Sequence, residues 1–149
     1  MNGLVKAAML NLVIVVLCIK PALAHHELIL VVSRSSTLQE VSSLDLRKLY
    51  LGFSVSHDGI SLKGLRNTSD EGIERIFYQN VVAMSKRAYE RRMRIIALGK
   101  GTPRTAAFDD TDRLVEALNH DPYSVSYMWN ETAELYPSLK TLRIIWERQ

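Results

Sequence analysis

Glu27-Leu28-Ile29-Leu30-Val31-Val32-Ser33 carries five consecutive aliphatic side chains between polar ends. A strand with one wet face alternates apolar and polar residues, so an unbroken Val, Ile and Leu run is the pattern of a strand buried on both faces. The chain leaves it through the polar run Ser33-Arg34-Ser35-Ser36-Thr37. Downstream, Ser42-Ser43-Leu44-Asp45 has the form of a capping box with Asp in place of Glu. It opens a short helix with Leu46, Leu49 and Tyr50 inward and a stop near Gly52. His57-Asp58-Gly59 is a turn signal, and a second strand is predicted over 60–65.

Thr68-Ser69-Asp70-Glu71 caps a second helix, in which Ile73, Ile76, Phe77 and Val81 fall at helical spacing. Ser85 starts a third helix over 85–98, ended by Gly99-Lys100-Gly101-Thr102-Pro103. Asp109-Asp110-Thr111-Asp112 precedes Leu114, Val115 and Leu118, a fourth amphipathic helix with acids at its start. Strands are predicted over 123–129 and 141–146, around a short helix over 131–135. Strands separated by helices imply an α/β fold, a mixed sheet flanked by helices in three layers. No internal repeat, low-complexity tract or linker interrupts it, so 25–149 reads as one domain.

Residues 1–24 read differently. Lys6 supplies a positive start, the next 13 or so residues are almost all apolar, and Ala22-Leu23-Ala24 is a small-x-small cleavage site. The run is shorter than the roughly 20 residues a bilayer span needs, so the expectation is a signal peptide cleaved after Ala24, a periplasmic product and no membrane span thereafter. Leu17 before Cys18 does not fit a lipid-attachment site. The chain of 149 residues has 19 Lys and Arg against 16 Asp and Glu. Lys6 and Lys20 leave with the signal and no acid does, so 17 basic residues then face the 16 acidic ones. A global nucleic-acid-binding charge is absent, and no nucleic-acid partner is expected. Cys18, the one cysteine, leaves too, so the processed domain is held by its core rather than by disulfides.

The order of segments resembles that of phosphate-binding proteins of ABC transporters. Ser43-Leu44-Asp45-Leu46-Arg47-Lys48-Leu49-Tyr50-Leu51-Gly52 is similar to the family's S-L-S-x-x-x-L-x-x-I-F-x-G segment. His57-Asp58-Gly59-Ile60-Ser61-Leu62 follows where the family has a Trp-x-Asp-Gly turn and strand. Phe77-Tyr78, the stretch from Tyr89 to Gly101, and Ser124-Val125-Ser126-Tyr127 stand for the later F-Y, Y-W-x-x-x-x-F-x-G-x-G and Ala-Ile-Gly-Tyr segments. The resemblance implies a single lobe of the periplasmic-binding-protein type II kind. It also implies an oxyanion such as phosphate as ligand.

The family's Arg-x-x-x-Ser-Gly-Thr anion loop maps onto Arg66-Asn67-Thr68-Ser69-Asp70-Glu71-Gly72. Arg66 matches the arginine and Ser69 lies one position before the family serine. Asp70 and Glu71 depart from the pattern: two carboxylates at the helix start repel an anion at close range, and the alternative reading is a helix cap with acids complementing the dipole. Ser33, Ser35 and Ser36 occupy the carboxyl end of a strand, where open α/β sheets bind ligands, or form an ordinary turn. Gly99 to Arg104 lacks the spacing of a phosphate-cradling loop.

Lys86, Arg87, Arg91 and Arg94 share one helix face of about 140°, a candidate docking surface for an envelope partner or a solvated face. Arg92 falls beside the core face, where the family has Trp. His25-His26 at the processed terminus would need His57 or His120 to complete a metal site, and Asp109, Asp110 and Asp112 lack the calcium-loop pattern. No metal or cofactor is expected. With no cysteine left, no Gly-x-Ser-x-Gly and no His-Glu-x-x-His, catalysis is not expected either. Two readings follow: an exported solute-binding-like protein taking a small oxyanion at Arg66 and Ser69, or an interaction module docked on an envelope partner through Arg87, Arg91 and Arg94.

Overall fold

The computed structural model describes residues 26–100 and 105–148. The expected signal over 1–24, His25, residues 101–104 and Gln149 lie outside the described residues. In chain order the elements are β1 (Glu27–Ser33), α1 (Ser43–Tyr50), β2 (Ser56–His57), β3 (Ile60–Ser61), β4 (Lys63–Gly64), β5 (Arg66–Asn67) and α2 (Glu71–Ile76). A π turn (Phe77–Val81) follows, then α3 (Lys86–Lys100), β6 (Ala107–Phe108), α4 (Thr111–His120), β7 (Ser124–Trp129), α5 (Asn130–Ala133) and β8 (Leu139–Glu147).

The central sheet has the order β4-β7-β1-β8. β1 runs antiparallel to both its neighbours, with Val32 opposite Val125 and Leu28 opposite Trp129, while β4 runs parallel to β7. The sheet is therefore mixed, as expected. Both faces of β1 are covered. Leu28, Leu30 and Val32 pack with Leu46, Leu49 and Tyr50 of α1, Ile73 and Ile76 of α2, and Phe77. Ile29 and Val31 pack with Leu114, Val115 and Leu118 of α4. None of the five aliphatic residues of β1 is more than 1% exposed. Helices on both sides of a mixed sheet make the three-layer α/β architecture.

Local chemistry sets the helix ends. Ser42 caps α1 by accepting from the Asp45 N–H at 3.0 Å, and its hydroxyl donates to Asp45 Oδ2 at 2.8 Å. Asp110 caps α4, accepting from Arg113 N–H at 2.9 Å. The strand predicted over 60–65 is two strands. Asp58 and Gly59 both have positive φ, 50° and 79°, which closes β2 onto β3 in a tight hairpin. Leu62 then turns inward, its N–H held by Val55 O at 2.8 Å, and only β4 joins the central sheet. The second helix is also shorter than its spacing predicted: it is α-helical to Ile76 and widens into the π turn, where Val82 N–H reaches Phe77 O at 3.1 Å.

Candidate functional site

Asn67, 1% exposed, organises the loop that follows β5. Its Nδ2 donates to Tyr127 O at 2.9 Å, tying β5 to β7, and its Oδ1 accepts from Ser69 N–H at 3.0 Å and Ser69 Oγ at 2.7 Å. The Ser69 hydroxyl is thus engaged inside the loop. The cap of α2 is the next residue, Asp70, whose Oδ1 accepts from Ile73 N–H at 3.0 Å. Gly72 belongs here because a Cβ would lie 2.8 Å from Asp70 Oδ1 and 3.3 Å from the Trp129 ring. Asp70 and Glu71 therefore belong to the helix start.

Arg66 precedes Asn67 and turns to the α1–α2 side of the sheet. Its guanidinium lies 5.1 Å from the Tyr89 ring centre, 5.2 Å from that of Phe77 and 5.7 Å from that of Tyr78. One terminal nitrogen donates to Tyr78 Oη at 2.8 Å and meets Glu74 Oε1 at 3.4 Å. Glu74 shares its other oxygen with Lys86 at 3.3 Å. The π turn produces this cage, since it brings Phe77 and Tyr78 to the core side together, with Phe77 stacked on Tyr127 at 5.2 Å. Cation–π contacts with desolvated rings stabilise the half-buried charge. Burial opposes the charge of Arg66, but Tyr127, Tyr78, Tyr89 and Glu74 outweigh it and raise its pKa. Burial pushes Tyr127, Tyr89 and Tyr78 above the ordinary phenol value, so at neutral pH the Arg66 cation sits among neutral hydroxyls with the Glu74 carboxylate at its edge.

Three atoms of this cluster, Arg66 Nε, Tyr89 Oη and Tyr127 Oη, are buried with no hydrogen bond of good geometry among the described residues, although Arg66 adjoins the Tyr127 hydroxyl and Thr105 that of Tyr89. Buried polar groups are ordinarily paired closely, so the loose pairing here sets the cluster apart from the rest of the core. Beside them lies a cavity of about 300 Å³ lined by Arg66, Tyr89, Glu90, Met93, Arg94 and Thr105.

The other sequence candidates lie elsewhere. Ser33 continues the face of Ile29 and Val31, and its hydroxyl bonds Ser35 Oγ at 2.9 Å and Asn119 of α4 at 3.3 Å. Ser36 Oγ accepts from Leu38 N–H at 3.3 Å. This loop follows Val32, paired with Val125 toward the start of β7, whereas Asn67 bonds Tyr127 further along; Arg66 and the serines face opposite layers. The three candidate arginines of α3, Arg87, Arg91 and Arg94, divide between two places. Arg94 lines the Arg66 cavity, while Arg87 and Arg91 line a groove of about 450 Å³ with Arg92, Ile95 and Ile96. Arg92 donates to Leu51 O at 3.1 Å and covers the Phe53 ring. His26 stacks on Trp129 and bonds Glu131, and His57 pairs with its neighbour Asp58. No group of three or more His, Cys, Asp or Glu among the described residues is placed to hold a metal ion.

Sequence reasoning missed Asn67, Glu74, Thr105 and the role of Tyr127. A usable signal was the cluster of aromatics Phe77, Tyr78, Tyr89 and Tyr127 in a chain of only 7% aromatic content, since an arginine buried in such a chain needs ring faces to sit against.

No protein-family model and no curated protein matches the chain. Solved structures do match it. An ABC-type phosphate transport receptor from Vibrio cholerae aligns with a TM-score of 0.58 at 14% identity, over 80% of this chain and 46% of that one. PstS from Borrelia burgdorferi gives 0.56 at 13% identity, over 80% and 47%. A protein from Planctomyces limnophilus, described as a possible phosphate binding protein, gives 0.56 at 16% identity, over 85% and 46%. At these identities the likeness is one of fold, and it is the fold implied by the order of segments from Ser43 to Tyr127. The chain is similar in fold to substrate-binding proteins of phosphate transport, and it spans about half the length of these solved proteins.

Proposed function

We propose that the chain is an exported, periplasmic, non-catalytic solute-binding protein, freed from its signal after Ala24, that takes a small oxyanion beside Arg66. The observation that carries this reading is that Arg66 and Tyr89, whose buried Nε and Oη make no hydrogen bond of good geometry among the described residues, line an open cavity. A phosphate or sulfate is rich in acceptors and complements such a donor set. Arg94 and Thr105 add a second cation and a hydroxyl at the cavity wall. This arrangement keeps Arg66 from the anion loop and substitutes Tyr89, Arg94 and Thr105 for Ser69, whose hydroxyl serves Asn67. The likeness in fold to phosphate-transport proteins supports it.

Calorimetric titration of the processed chain with phosphate, sulfate and molybdate tests the reading. We expect saturable binding of at least one anion, abolished in Arg66→Ala and weakened about tenfold or more in Tyr89→Phe, which removes one hydrogen bond to a charged ligand. Tyr89→Phe keeps the ring and hence the core. Absence of heat at millimolar anion, or unchanged affinity in Tyr89→Phe, overturns the site. A second reading, an accessory module that docks on the envelope, is favoured by α3, whose only buried side chain among the described residues is Tyr89.

A further inference from the structure

α3 concentrates charge that the rest of the chain does not have. It holds six basic residues against one acid, Glu90, in a chain with an overall net charge of +3. Lys86 is paired with Glu74, but Arg87, Arg91 and Arg94 have no ion-pair partner among the described residues. At about 100° per residue, Arg94, Arg87, Leu98, Arg91 and Ile95 follow one another across a single arc of about 100° that faces away from Tyr89. Leu98 is 89% exposed and Ile95 61% exposed, so two aliphatic side chains stand in water among three guanidinium groups. Phe53, 51% exposed, stands at the margin under Arg92.

The chemistry of the occupant follows from that mixture. A merely solvated basic face gains nothing from Leu98 at its centre and Ile95 at its edge. The groove along Arg87, Arg91 and Ile95 is lined by α3 and the adjoining Ser85 alone, so whatever covers it meets one open helix face. A flat, negatively charged surface with an apolar layer beneath satisfies both kinds of side chain: guanidinium groups pair with phosphates and aliphatic tips enter the acyl boundary. No helix among the described residues is long and apolar enough to cross a membrane, so the contact is peripheral.

We propose that the outward face of α3 docks on an anionic lipid bilayer, with Arg87 and Arg91 on lipid phosphates and Ile95 and Leu98 in the acyl boundary. It deepens the docking reading and is independent of the oxyanion site, since none of these four residues lines the Arg66 cavity.

Vesicle flotation of the processed chain, residues 25–149, provides the test, because that span contains both hydrophobic clusters and excludes the apolar signal. Vesicles of phosphatidylcholine containing phosphatidylglycerol are compared with pure phosphatidylcholine. The expected result is flotation with the anionic vesicles only, reduced about tenfold or more by the double change Arg87→Glu with Arg91→Glu and by raised salt. Ile95→Ser with Leu98→Ser is expected to reduce it as well. The processed chain has no cysteine of its own, so Leu98→Cys carrying an environment-sensitive dye reports insertion as a blue shift on anionic vesicles. Failure to float, equal flotation on neutral vesicles, or an unmoved dye overturns the proposal. Capture of an acidic protein through the same arginines, without flotation, overturns it in favour of a protein contact. Anion titration of the same variants is expected to match the parent, which separates this outcome from that of the oxyanion reading.

Discussion

α4 and α3 show two ways for an amphipathic pattern to be used. In α4 the apolar residues Leu114, Val115 and Leu118 all lie against β1 and are buried. In α3, half again as long, Tyr89 alone is buried among the described residues, Met93, Ile96 and Ala97 are half covered, and Ile95 and Leu98 stand in water. The first helix is structural, and its sequence is explained by the core. The second is held at the molecule's edge by one tyrosine and a few partial contacts, so its charge and its exposed aliphatics need another explanation. The residue that anchors it, Tyr89, is the one that walls the Arg66 cavity.

The comparison breaks most readily on stability. Leu118→Ala is expected to cost about 2–5 kcal/mol, and Leu98→Ala on α3 to stay within about 0.5 kcal/mol, both read from urea denaturation. A comparable loss at Leu98 would mean that α3 is packed by something the core does not account for. The caps give a smaller effect. Asp110→Ala at the start of α4 is expected to cost about 1 kcal/mol. Ser85→Ala, which removes a 3.2 Å bond to the Ala88 N–H at the start of α3, is expected to lie at the low end of that range, because fraying of a weakly packed helix costs the core little.

The smallest effects are electrostatic and lie in opposite pH windows. The hydrogen bond from Lys63 holds Asp121, just past α4, below the usual carboxylate range. A depressed acid contributes stability that is present above its unfolded pKa and lost as pH falls through the folded value. Lys63→Met is expected to remove at most about 1 kcal/mol near neutrality, as for other exposed pairs, and to flatten the acid limb of the stability profile. On α3 the hydrogen bond to Glu74 raises the Lys86 pKa. Its contribution is present below the unfolded lysine value and lost as pH rises through the folded one. Glu74→Gln is therefore expected to remove this contribution at neutral pH and to flatten the alkaline limb of the stability profile.

The layers were legible in the sequence because burial on two faces and helical spacing both leave patterns in consecutive residues. The aliphatic run of β1, the Ser42 cap and the inward residues of α4 are such patterns. β5 and β6 were not legible: they are two-residue strands that pair in parallel, Arg66 with Ala107 and Asn67 with Phe108, and two residues show no period. Arg66 was recognisable as a charge in a telling place, but its surroundings come from π-turn residues, from α3 and from β7. The Ser33–Ser36 loop shows the reverse case. Its composition suggested a ligand loop, yet its hydroxyls bond one another, Asn119 and the local backbone, because short polar side chains after a strand serve nearby groups as readily as a ligand.

β1 has a consequence for how the molecule comes apart. Alternate side chains of one strand form a wall of each hydrophobic layer, so neither layer can open while the other keeps its boundary. Unfolding of the sheet and its two layers is therefore expected to be one cooperative event, and the amides of Ile29 to Val32, which pair with neighbours on both sides, are expected to exchange with solvent only when both layers open.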